Sequence, residues 1–281
     1  MSIGRIGLYL FLAGAALFFA IPLLIVVMTS LKPMEEIRAG SIFALPMAPS
    51  FAAWVKAWTT ACTGLACNGI QVGFWNSFRI LIPSVVLSVA GGAINGYALA
   101  QWKPPGANAL LTALMLGAFI PYQVILYPMV KIMSNVGLYN SLPGIVAIHI
   151  IFGLPVMTLI FRNFYAGLPD ELLKAARVDG AGFWRIFWEI MLPISVNILV
   201  VAVILQVTGI WNDYLLGLIF AGRDNAPMTV QLNLIVNSQM GEQEHNVNMA
   251  ATLLTALPPL LVYFASGRYF VRGITAGAVK G

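Results

Sequence analysis

Long runs of apolar residues, separated by polar segments, make up most of this chain. Six runs are long enough to cross a hydrocarbon core about 30 Å thick, which takes about 20 helical residues. The runs are apolar at even and odd positions alike, whereas the strands of a transmembrane barrel alternate. The pattern therefore predicts an all-α, polytopic membrane protein whose residues 1–281 form a single membrane-spanning domain. The six predicted transmembrane helices lie near residues 8–29, 80–100, 109–128, 142–161, 193–220 and 249–267.

The composition agrees with a membrane-embedded chain and argues against other classes. Of the 281 residues, 60% are hydrophobic and 9% are charged, whereas soluble domains carry about 25% charged residues. The net charge of +5 does not indicate nucleic-acid binding, because no basic patch is interleaved with aromatic residues. The first apolar run is longer than the core of a signal peptide and lacks a small-residue cleavage pattern, so we expect it to be retained as a span.

Basic residues indicate the orientation of the spans. With the N-terminus inside, nine Lys and Arg fall in inner segments and six in outer segments, and four of those six lie in or beside one long outer loop. Short loops and the positions that flank spans carry most weight in this bias. We therefore expect both termini to be cytoplasmic.

Two long polar connections separate the apolar runs, an outer loop at residues 30–76, which is periplasmic if the protein is bacterial, and a cytoplasmic loop at residues 162–192. The outer loop holds the only two cysteines of the sequence, Cys62 and Cys67. On an oxidising face they can form a small disulfide-closed loop, and the alternative is a pair of unbonded small residues. We expect no metal site, since the two histidines are distant from the cysteines in sequence.

The sequence carries no recognisable catalytic motif. It lacks the phosphate loop GxxxxGK(S/T), so the chain is not itself an ATPase. It also lacks GxSxG, HExxH and paired carboxylates at a recognisable spacing. We therefore expect no catalytic residues and no cofactor bound by this chain.

The inner loop has the strongest local pattern. From Pro169 it reads PDELLKAARVDGAGFWRIFWEIMLPI, with amphipathic pieces on both sides of Gly180. Asp179-Gly180 is typical of a helix end, and Leu192-Pro193 is expected to stop the second piece and open the next span. The pattern predicts a helix–turn–helix at the membrane surface, and the alternative is an interfacial loop without a partner. The apolar face of the second piece comprises Phe183, Ile186, Phe187, Ile190 and Met191, with Arg185 and Glu189 opposite.

This loop resembles the EAA loop of permease subunits of bacterial binding-protein-dependent ABC importers. The spacing agrees with that family, although Lys174 stands where the family has Glu, and Glu171 lies one helical turn earlier. In that family the loop contains the coupling helix, which sits in a groove of the cytoplasmic ATPase. The resemblance implies an ATPase-coupling role for Glu171, Lys174, Ala175, Ala176, Asp179, Gly180, Ile190, Leu192 and Pro193.

Further segments look like the maltose-type (MalG-like) carbohydrate branch of that family. They are residues 137–141, 162–169, Trp211-Asn212-Asp213 and the cytoplasmic tail 273–281, so the resemblance covers roughly residues 8–281. The loop around Cys62 and Cys67 additionally looks like glucose/mannose-type members. The resemblance implies the type I ABC importer permease fold, a place in the bacterial inner (cytoplasmic) membrane, and ATP-driven sugar import by alternating access.

The resemblance also implies partners. They are a second, different permease subunit, two cytoplasmic ABC ATPase subunits that bind ATP and Mg, a periplasmic sugar-binding protein, the sugar and membrane lipid. By the same resemblance, the outer segment 223–248 contacts the opened cleft of the binding protein, and the alternative is a solvated connector.

Trp211, Asn212 and Asp213 lie towards the outer half of the fifth run. An intramembrane carboxylate is costly unless it faces a cavity or a partner, so this triplet is a functional candidate. Planar polar groups and aromatic faces bind sugars, and the triplet supplies both. We interpret these residues as substrate-path candidates, against the alternative of hydrogen bonding between helices. Other intramembrane positions are interpreted as packing contacts: Asn95, His149, Asn197, Gln206 and the small-xxx-small pair Gly92 and Gly96.

Two other functional classes were weighed against the importer subunit. A secondary transporter for a small polar solute has coupling carboxylates at mid-membrane and internal inverted repeats. The sequence shows no repeat between its two halves and a single carboxylate within the spans. A membrane assembly or anchoring protein does not need the surface helix–turn–helix. The sequence therefore favours one half of a primary active importer.

Overall fold

The computed structural model describes residues 3–63, 66–237 and 243–278. Across these residues the protein is helical, with no strand beyond an isolated bridge between Thr63 and Ala66, which confirms the all-α prediction. π-Helical turns at Ala98–Trp102 and Phe187–Met191 continue or join α-helices. The α-helices are α1 (Ile3–Ser30), α2 (Met34–Ala39), α3 (Ala52–Thr59), α4 (Gln71–Tyr97), α5 (Ala107–Phe119), α6 (Tyr122–Asn135), α7 (Leu142–Ala166), α8 (Asp170–Val178), α9 (Phe183–Ile186), α10 (Leu192–Ile194), α11 (Val196–Trp211), α12 (Leu215–Phe220), α13 (Met228–Val236) and α14 (His245–Ala278).

Four helices among the described residues are long and apolar enough to cross a membrane by themselves. Two bent helix pairs also qualify, so the number of spans rises to six if each pair counts as one span. The six predicted spans correspond to this upper number. The single helices are Gly4–Ser30, Gln71–Trp102, Leu142–Ala166 and His245–Gly267, and the pairs are Ala107–Ala118 with Tyr122–Asn135 and Phe183–Ile194 with Val196–Trp211.

The apolar run at 109–128 is divided into two helices that meet at 105°. The break falls at Ile120 and Pro121, which have extended ψ angles of 124° and 119°. Proline has no amide hydrogen, and its ring disfavours the helical conformation of the residue before it. The run is therefore long enough for one span but is not one straight helix.

The run at 193–220 is divided as well, and Pro193 does not end the helix that precedes it. The helix runs on to Ile194, and a bend of 79° then separates it from α11. In the π-helical turn, the Leu192 amide donates to the carbonyl of Phe187, five residues earlier, instead of to a carbonyl four residues earlier as in an α-helix. The Ser195 hydroxyl donates to the Leu192 carbonyl at 2.9 Å. The expectation that Leu192-Pro193 stops the helix is thus wrong by two residues.

The chain forms two compact units. The first holds the chain up to Phe74 together with Val230–Pro258, and the second holds Trp75–Thr229 and the chain from Pro259 onward. Helix α14 continues to Ala278, so the predicted tail begins as helix. Residues 279–281 of that tail lie outside the described residues.

Polar contacts hold the first unit together around the ends of its helices. Asn246 donates to the Lys32 carbonyl at 3.0 Å, and the indole of Trp54 donates to the Ser30 hydroxyl at 3.2 Å. Lys56 and Glu244 form an ion pair at 2.5 Å. These contacts join the segments around α3 to the start of α14.

Close packing of α4 on α7 organises the second unit. A Cβ atom on Gly92 would lie 2.4 Å from the Met157 Cβ, and one on Gly96 would lie 2.7 Å from the Phe161 Cβ. Small residues allow helix backbones to approach closely in membranes. The interpretation of Gly92 and Gly96 as packing positions is confirmed.

Candidate coupling loop and polar cavity

The loop between α7 and α11 begins with α8, an amphipathic helix. Asp170 and Glu171 lie in its first turn, where negative charge is favourable, and Arg177 lies in its last turn. Leu173 and Ala176 are buried, at 5% and 6% exposed. The other predicted coupling residues on this helix and at its end are exposed: Glu171, Lys174, Ala175, Asp179 and Gly180.

A left-handed turn at Gly180 ends α8. Gly180 has a φ of +75°, and its amide donates to the Arg177 carbonyl at 3.0 Å, while the Ala181 amide donates to the Ala176 carbonyl at 2.9 Å. These two bonds form a Schellman motif, which favours glycine at this position. A Cβ atom on Gly180 would meet nothing within 4 Å, so the surface above the turn is open.

The second half of the loop turns an apolar face inward. Ile186, Phe187 and Met191 are almost completely buried. Arg185 and Glu189 are exposed on the opposite side and form an ion pair at 3.0 Å. This arrangement confirms the predicted amphipathic pattern. Of the remaining coupling candidates, Ile190 and Leu192 are half-buried and Pro193 is exposed.

Four side chains join this loop to the end of α4, and we refer to them as the aromatic clamp: Tyr97, Trp102, Arg177 and Phe183. The indole of Trp102 donates to the Tyr97 hydroxyl at 2.6 Å. The guanidinium of Arg177 lies 4.7 Å from the centre of the Trp102 ring, within the range of a cation–π contact. The Phe183 ring lies 4.7 Å from that of Tyr97 and 5.4 Å from that of Trp102.

Sequence reasoning missed the aromatic clamp. Its members lie up to 86 positions apart in the sequence. Tyr97 and Phe183 have this separation, and the Tyr97 hydroxyl donates to the Phe183 carbonyl at 3.4 Å. The available signal was a pair of aromatic residues five positions apart, Tyr97 and Trp102, beside the end of a predicted span. That signal indicates an interface anchor but does not identify the contacts.

A polar cavity lies between α6, α7, α11 and α12, with a volume of about 380 Å³. Small-molecule sites occupy about 300–1,000 Å³ and combine apolar walls with a few polar groups. Asn212 and Asp213 line the cavity, whereas Trp211 is not among the lining residues that the structure describes. The lining comprises Tyr122, His149, Phe152, Gly153, Gln206, Gly209, Ile210, Asn212, Asp213 and Leu216.

Asp213 is held by the start of α12. Its carboxylate accepts hydrogen bonds from the amides of Leu216 at 3.3 Å and Gly217 at 2.8 Å, and its carbonyl accepts one from the Thr229 hydroxyl at 2.5 Å. His149 lies 4.0 Å from the carboxylate. Asp213 therefore acts as a helix cap as well as a cavity wall.

Trp211 and Asn212 have different surroundings. The Trp211 ring is 2% exposed and lies edge-to-face on Phe78 at 5.3 Å, so it packs between helices. Asn212 is exposed and faces the cavity. The structure thus brings Asn212 and Asp213 together at one site and places Trp211 behind it.

His149 and Gln206 also line the cavity, although their sequence context indicated packing contacts. Gln206 both lines the cavity and makes a packing contact between helices, since its amide donates to the Ser88 hydroxyl at 3.2 Å. Gly153 makes room for this side chain, because a Cβ there would lie 2.1 Å from the Gln206 Nε2. His149 and Gly153 are four residues apart in the sequence, a spacing that places them on one face of a helix. This spacing was the available sequence signal for a shared cavity wall.

The structure joins Cys62 and Cys67 by a disulfide. Next to it, the amide of Gly69 donates to Ala61 at 2.9 Å and that of Ile70 to Ala57 at 3.0 Å, which closes the chain between α3 and α4. Residues 64 and 65 between the cysteines lie outside the described residues. Across the part of the chain that the structure describes, no group of three or more His, Cys, Asp or Glu side chains is arranged to hold a metal ion.

Comparisons with known proteins match the part of the chain that holds this loop and the cavity to a known family. Residues 88–276 match the family described as binding-protein-dependent transport system inner membrane component. A probable ABC transporter permease protein of Pyrococcus horikoshii is 44% identical over 62% of this chain and 63% of that protein. The alpha-glucoside transport system permease protein AglG of Rhizobium meliloti is 38% identical over 77% of this chain and 58% of that protein. The chain thus spans about three fifths of the length of these two relatives.

A solved structure has the same fold. It is a chain from the crystal structure of a bacterial ABC transporter involved in the import of the acidic polysaccharide alginate. The TM-score is 0.81 at 19% identity, over 95% of this chain and 96% of that chain. The predicted importer permease fold is confirmed, and with two thirds of its residues matched, the chain belongs to the family of binding-protein-dependent transport system inner membrane components.

Proposed function

We propose that this chain is a permease subunit of an ATP-driven sugar importer and forms half of its translocation pathway. The observation that carries the proposal is the geometry of the inner loop. An exposed turn at Gly180 stands between two helices whose apolar sides pack inward. The aromatic clamp joins both helices to the end of α4, so a force applied at the turn reaches the spans.

The coupling residues have separate tasks in this proposal. Glu171, Lys174, Ala175 and Asp179 present an exposed surface to the ATPase, and Gly180 shapes the turn between the helices. Ala176 is 6% exposed and supports that surface from beneath. Ile190, Leu192 and Pro193 connect the loop to the bend at Ser195, through which α11 is moved.

Sugar is the substrate class that the cavity and the relatives support together. Asn212, Gln206, His149 and Tyr122 offer hydrogen-bonding groups beside the ring of Phe152, a combination that suits a hydroxylated ring. The relative AglG is named for alpha-glucosides and the structural relative for alginate. Asn212 and Asp213 therefore belong to the substrate path in this proposal, and Trp211 supports them through packing.

The proposed partners follow from the missing ATPase motif and from the family. Two cytoplasmic ABC ATPase subunits bind ATP and Mg, a second permease subunit completes the pathway as a heterodimer, and a periplasmic sugar-binding protein delivers the substrate. Both termini of this chain are cytoplasmic in the inner membrane. Affinity purification in mild detergent tests the assembly, because these chains should co-purify, and isolation of this chain alone would contradict it.

The energy source separates this proposal from a secondary transporter. We expect sugar uptake to stop in a strain that lacks the ATPase and to persist when an uncoupler dissipates the proton gradient while ATP is maintained. Uptake that survives loss of the ATPase and stops with the uncoupler would show a secondary transporter. The same strain complemented with the ATPase gene serves as the control.

A further inference from the structure

Trp102 occupies an unusual place at the inner end of the second span. It is the last residue of the π-helical turn that extends α4, yet it contacts both helices of the coupling loop. Arg177, before the Gly180 turn, lies over its ring at 4.7 Å, and Phe183, after the turn, lies at 5.4 Å. The loop therefore cannot shift relative to the end of α4 without breaking contacts on one side of the turn.

Tyr97 fixes Trp102 and Phe183 relative to each other. It is fully buried, accepts the indole hydrogen of Trp102 at 2.6 Å and donates to the Phe183 carbonyl at 3.4 Å. Its ring also lies 5.7 Å from that of Phe187. One phenol thus bonds a side chain of the span and the backbone of the loop, and its position depends on both.

The backbone at the end of α4 is built to present Trp102 to the loop. The amide of Lys103 donates to the Ala98 carbonyl at 3.0 Å, which is the wider spacing of a π-helix, and Lys103 itself has a φ of +45°. π-Helical turns are rare and rotate the residues that follow them. A regular α-helix over Ala98–Trp102 would direct the indole away from its present partners.

A second set of contacts joins the loop to the neighbouring span. Gln101 donates to the Tyr165 carbonyl at 2.5 Å, and Tyr165 forms a hydrogen bond to the Ser195 hydroxyl at 3.3 Å, at the bend before α11. The Tyr165 ring lies 6.1 Å from that of Tyr97. The inner ends of α4 and α7 and the start of α11 are thereby connected through the same cluster.

We propose that the aromatic clamp makes the coupling loop and the inner end of α4 move as one body, with Tyr97, Trp102 and Arg177 as positioning residues. This inference rests on the proposed function, because the loop is moved by an ATPase. Contacts on both sides of the Gly180 turn carry the displacement in either direction. Coupling then depends on residues that touch neither the sugar nor the nucleotide.

Distances between spin labels in the assembled transporter test this inference. The labels are attached to cysteines at exposed lysines, as K103C with K174C and as K103C with K131C, after Cys62 and Cys67 are replaced by serine. A non-hydrolysable ATP analogue with Mg²⁺ closes the ATPase. We expect the 103–131 distance to change by about 1–2 Å or more, as for helix shifts in other switching proteins, while the 103–174 distance stays constant.

In variants of the aromatic clamp, the coupling loop should move without the end of α4. In Trp102→Leu, Tyr97→Phe and Arg177→Gln, we expect the nucleotide to change the 103–174 distance and to leave the 103–131 distance unchanged. Matched controls are Trp188→Leu and Arg185→Gln, which alter an exposed indole and an exposed guanidinium of the same loop outside the clamp. ATP hydrolysis is measured in parallel and should persist in every variant.

Each outcome decides between the proposals. The clamp is overturned if both distances in Tyr97→Phe and Trp102→Leu respond to the nucleotide as they do in the parent protein. It is also overturned if the parent protein hydrolyses ATP without any change in the 103–131 distance. Tyr97→Phe removes a single oxygen atom and keeps the test valid if Trp102→Leu does not assemble. A complex that lacks a co-purifying ATPase overturns the proposed function itself, and the clamp with it.

Discussion

Single residues differ in how much the backbone constrains them, and Gly180 is the clearest case. Its φ of +75° is costly for any residue with a Cβ, by about 1–2 kcal/mol. A Cβ atom there would meet no atom of this chain within 4 Å, so the cost within the chain comes from the backbone conformation. The position is therefore restricted by conformation and, in our proposal, by the docked ATPase.

We expect Gly180→Trp to abolish sugar import while the protein still inserts and folds. Gly180→Ala should weaken the loop by about 1–2 kcal/mol and lower import only in part. Gly182→Ala is the matched control, since Gly182 is exposed, has open space around it and has an ordinary φ of −83°. Import per folded complex is the measurement, and normal import by Gly180→Trp would show the coupling assignment to be wrong.

Asn212 and Asp213 should respond differently to replacement by alanine. Asp213 caps α12, and loss of a cap costs about 0.5–2 kcal/mol, so Asp213→Ala should lower the thermal stability of the complex. Asn212→Ala removes a cavity group without such a bond and should lower import at unchanged stability. Asn197→Ala, at an exposed site on α11, the helix that ends just before Asn212, is the control.

The ratio of import to folded complex distinguishes the two roles. A normal ratio in Asn212→Ala, with reduced yield and melting temperature, would mean that Asn212 only packs helices. Stimulation of the ATPase by the loaded binding protein should persist in both variants, because neither residue belongs to the coupling loop.

At the scale of helices and loops, the sequence predicts best what depends on local periodicity. The amphipathic pattern around Gly180 and the packing role of Gly92 and Gly96 both follow from spacings of three and four residues. The bend of 79° lies at Ser195, two residues beyond the Pro193 that predicts a helix end, and no propensity rule identifies the π-helical turn at Phe187–Met191. The aromatic clamp and the cavity depend on contacts between residues far apart in sequence, which local patterns do not encode.

The packing of α4 on α7 gives a prediction at this scale. Gly92→Ala places a Cβ 2.4 Å from the Met157 Cβ, and such overpacking costs about 1–3 kcal/mol. Gly117→Ala, in α5, meets nothing within 4 Å and should be neutral or stabilising, because alanine favours helix by about 1 kcal/mol over glycine. Melting temperatures of the purified variants compare them, and an unchanged value for Gly92→Ala would contradict the close approach of the two helices.

For the whole molecule, the apolar pattern establishes the fold class because lipid requires every spanning backbone group to be bonded within a helix. The orientation of the spans is a separate matter and rests on the distribution of basic residues. The accessibility of Cys62 and Cys67 tests this orientation, because the predicted topology places their loop outside the membrane.

Thiol labelling of intact cells tests this topology and the disulfide together. A membrane-impermeant reagent should label no cysteine at first and should label the protein after reduction, because the structure bonds Cys62 to Cys67. Labelling without a reductant argues against the bond. Failure to label after reduction challenges the outward position of the loop.

Cross-linking of the coupling loop to the ATPase tests the central claim most directly. Lys174 is exposed on α8 beside the Gly180 turn, and Lys131 is exposed on α6, a helix outside the loop. In membranes that contain the assembled transporter, a short bifunctional thiol reagent should join Lys174→Cys to a cysteine in the ATPase groove and should leave Lys131→Cys unlinked. Equal linkage at both positions, or none at Lys174→Cys, would contradict a coupling loop centred on Gly180.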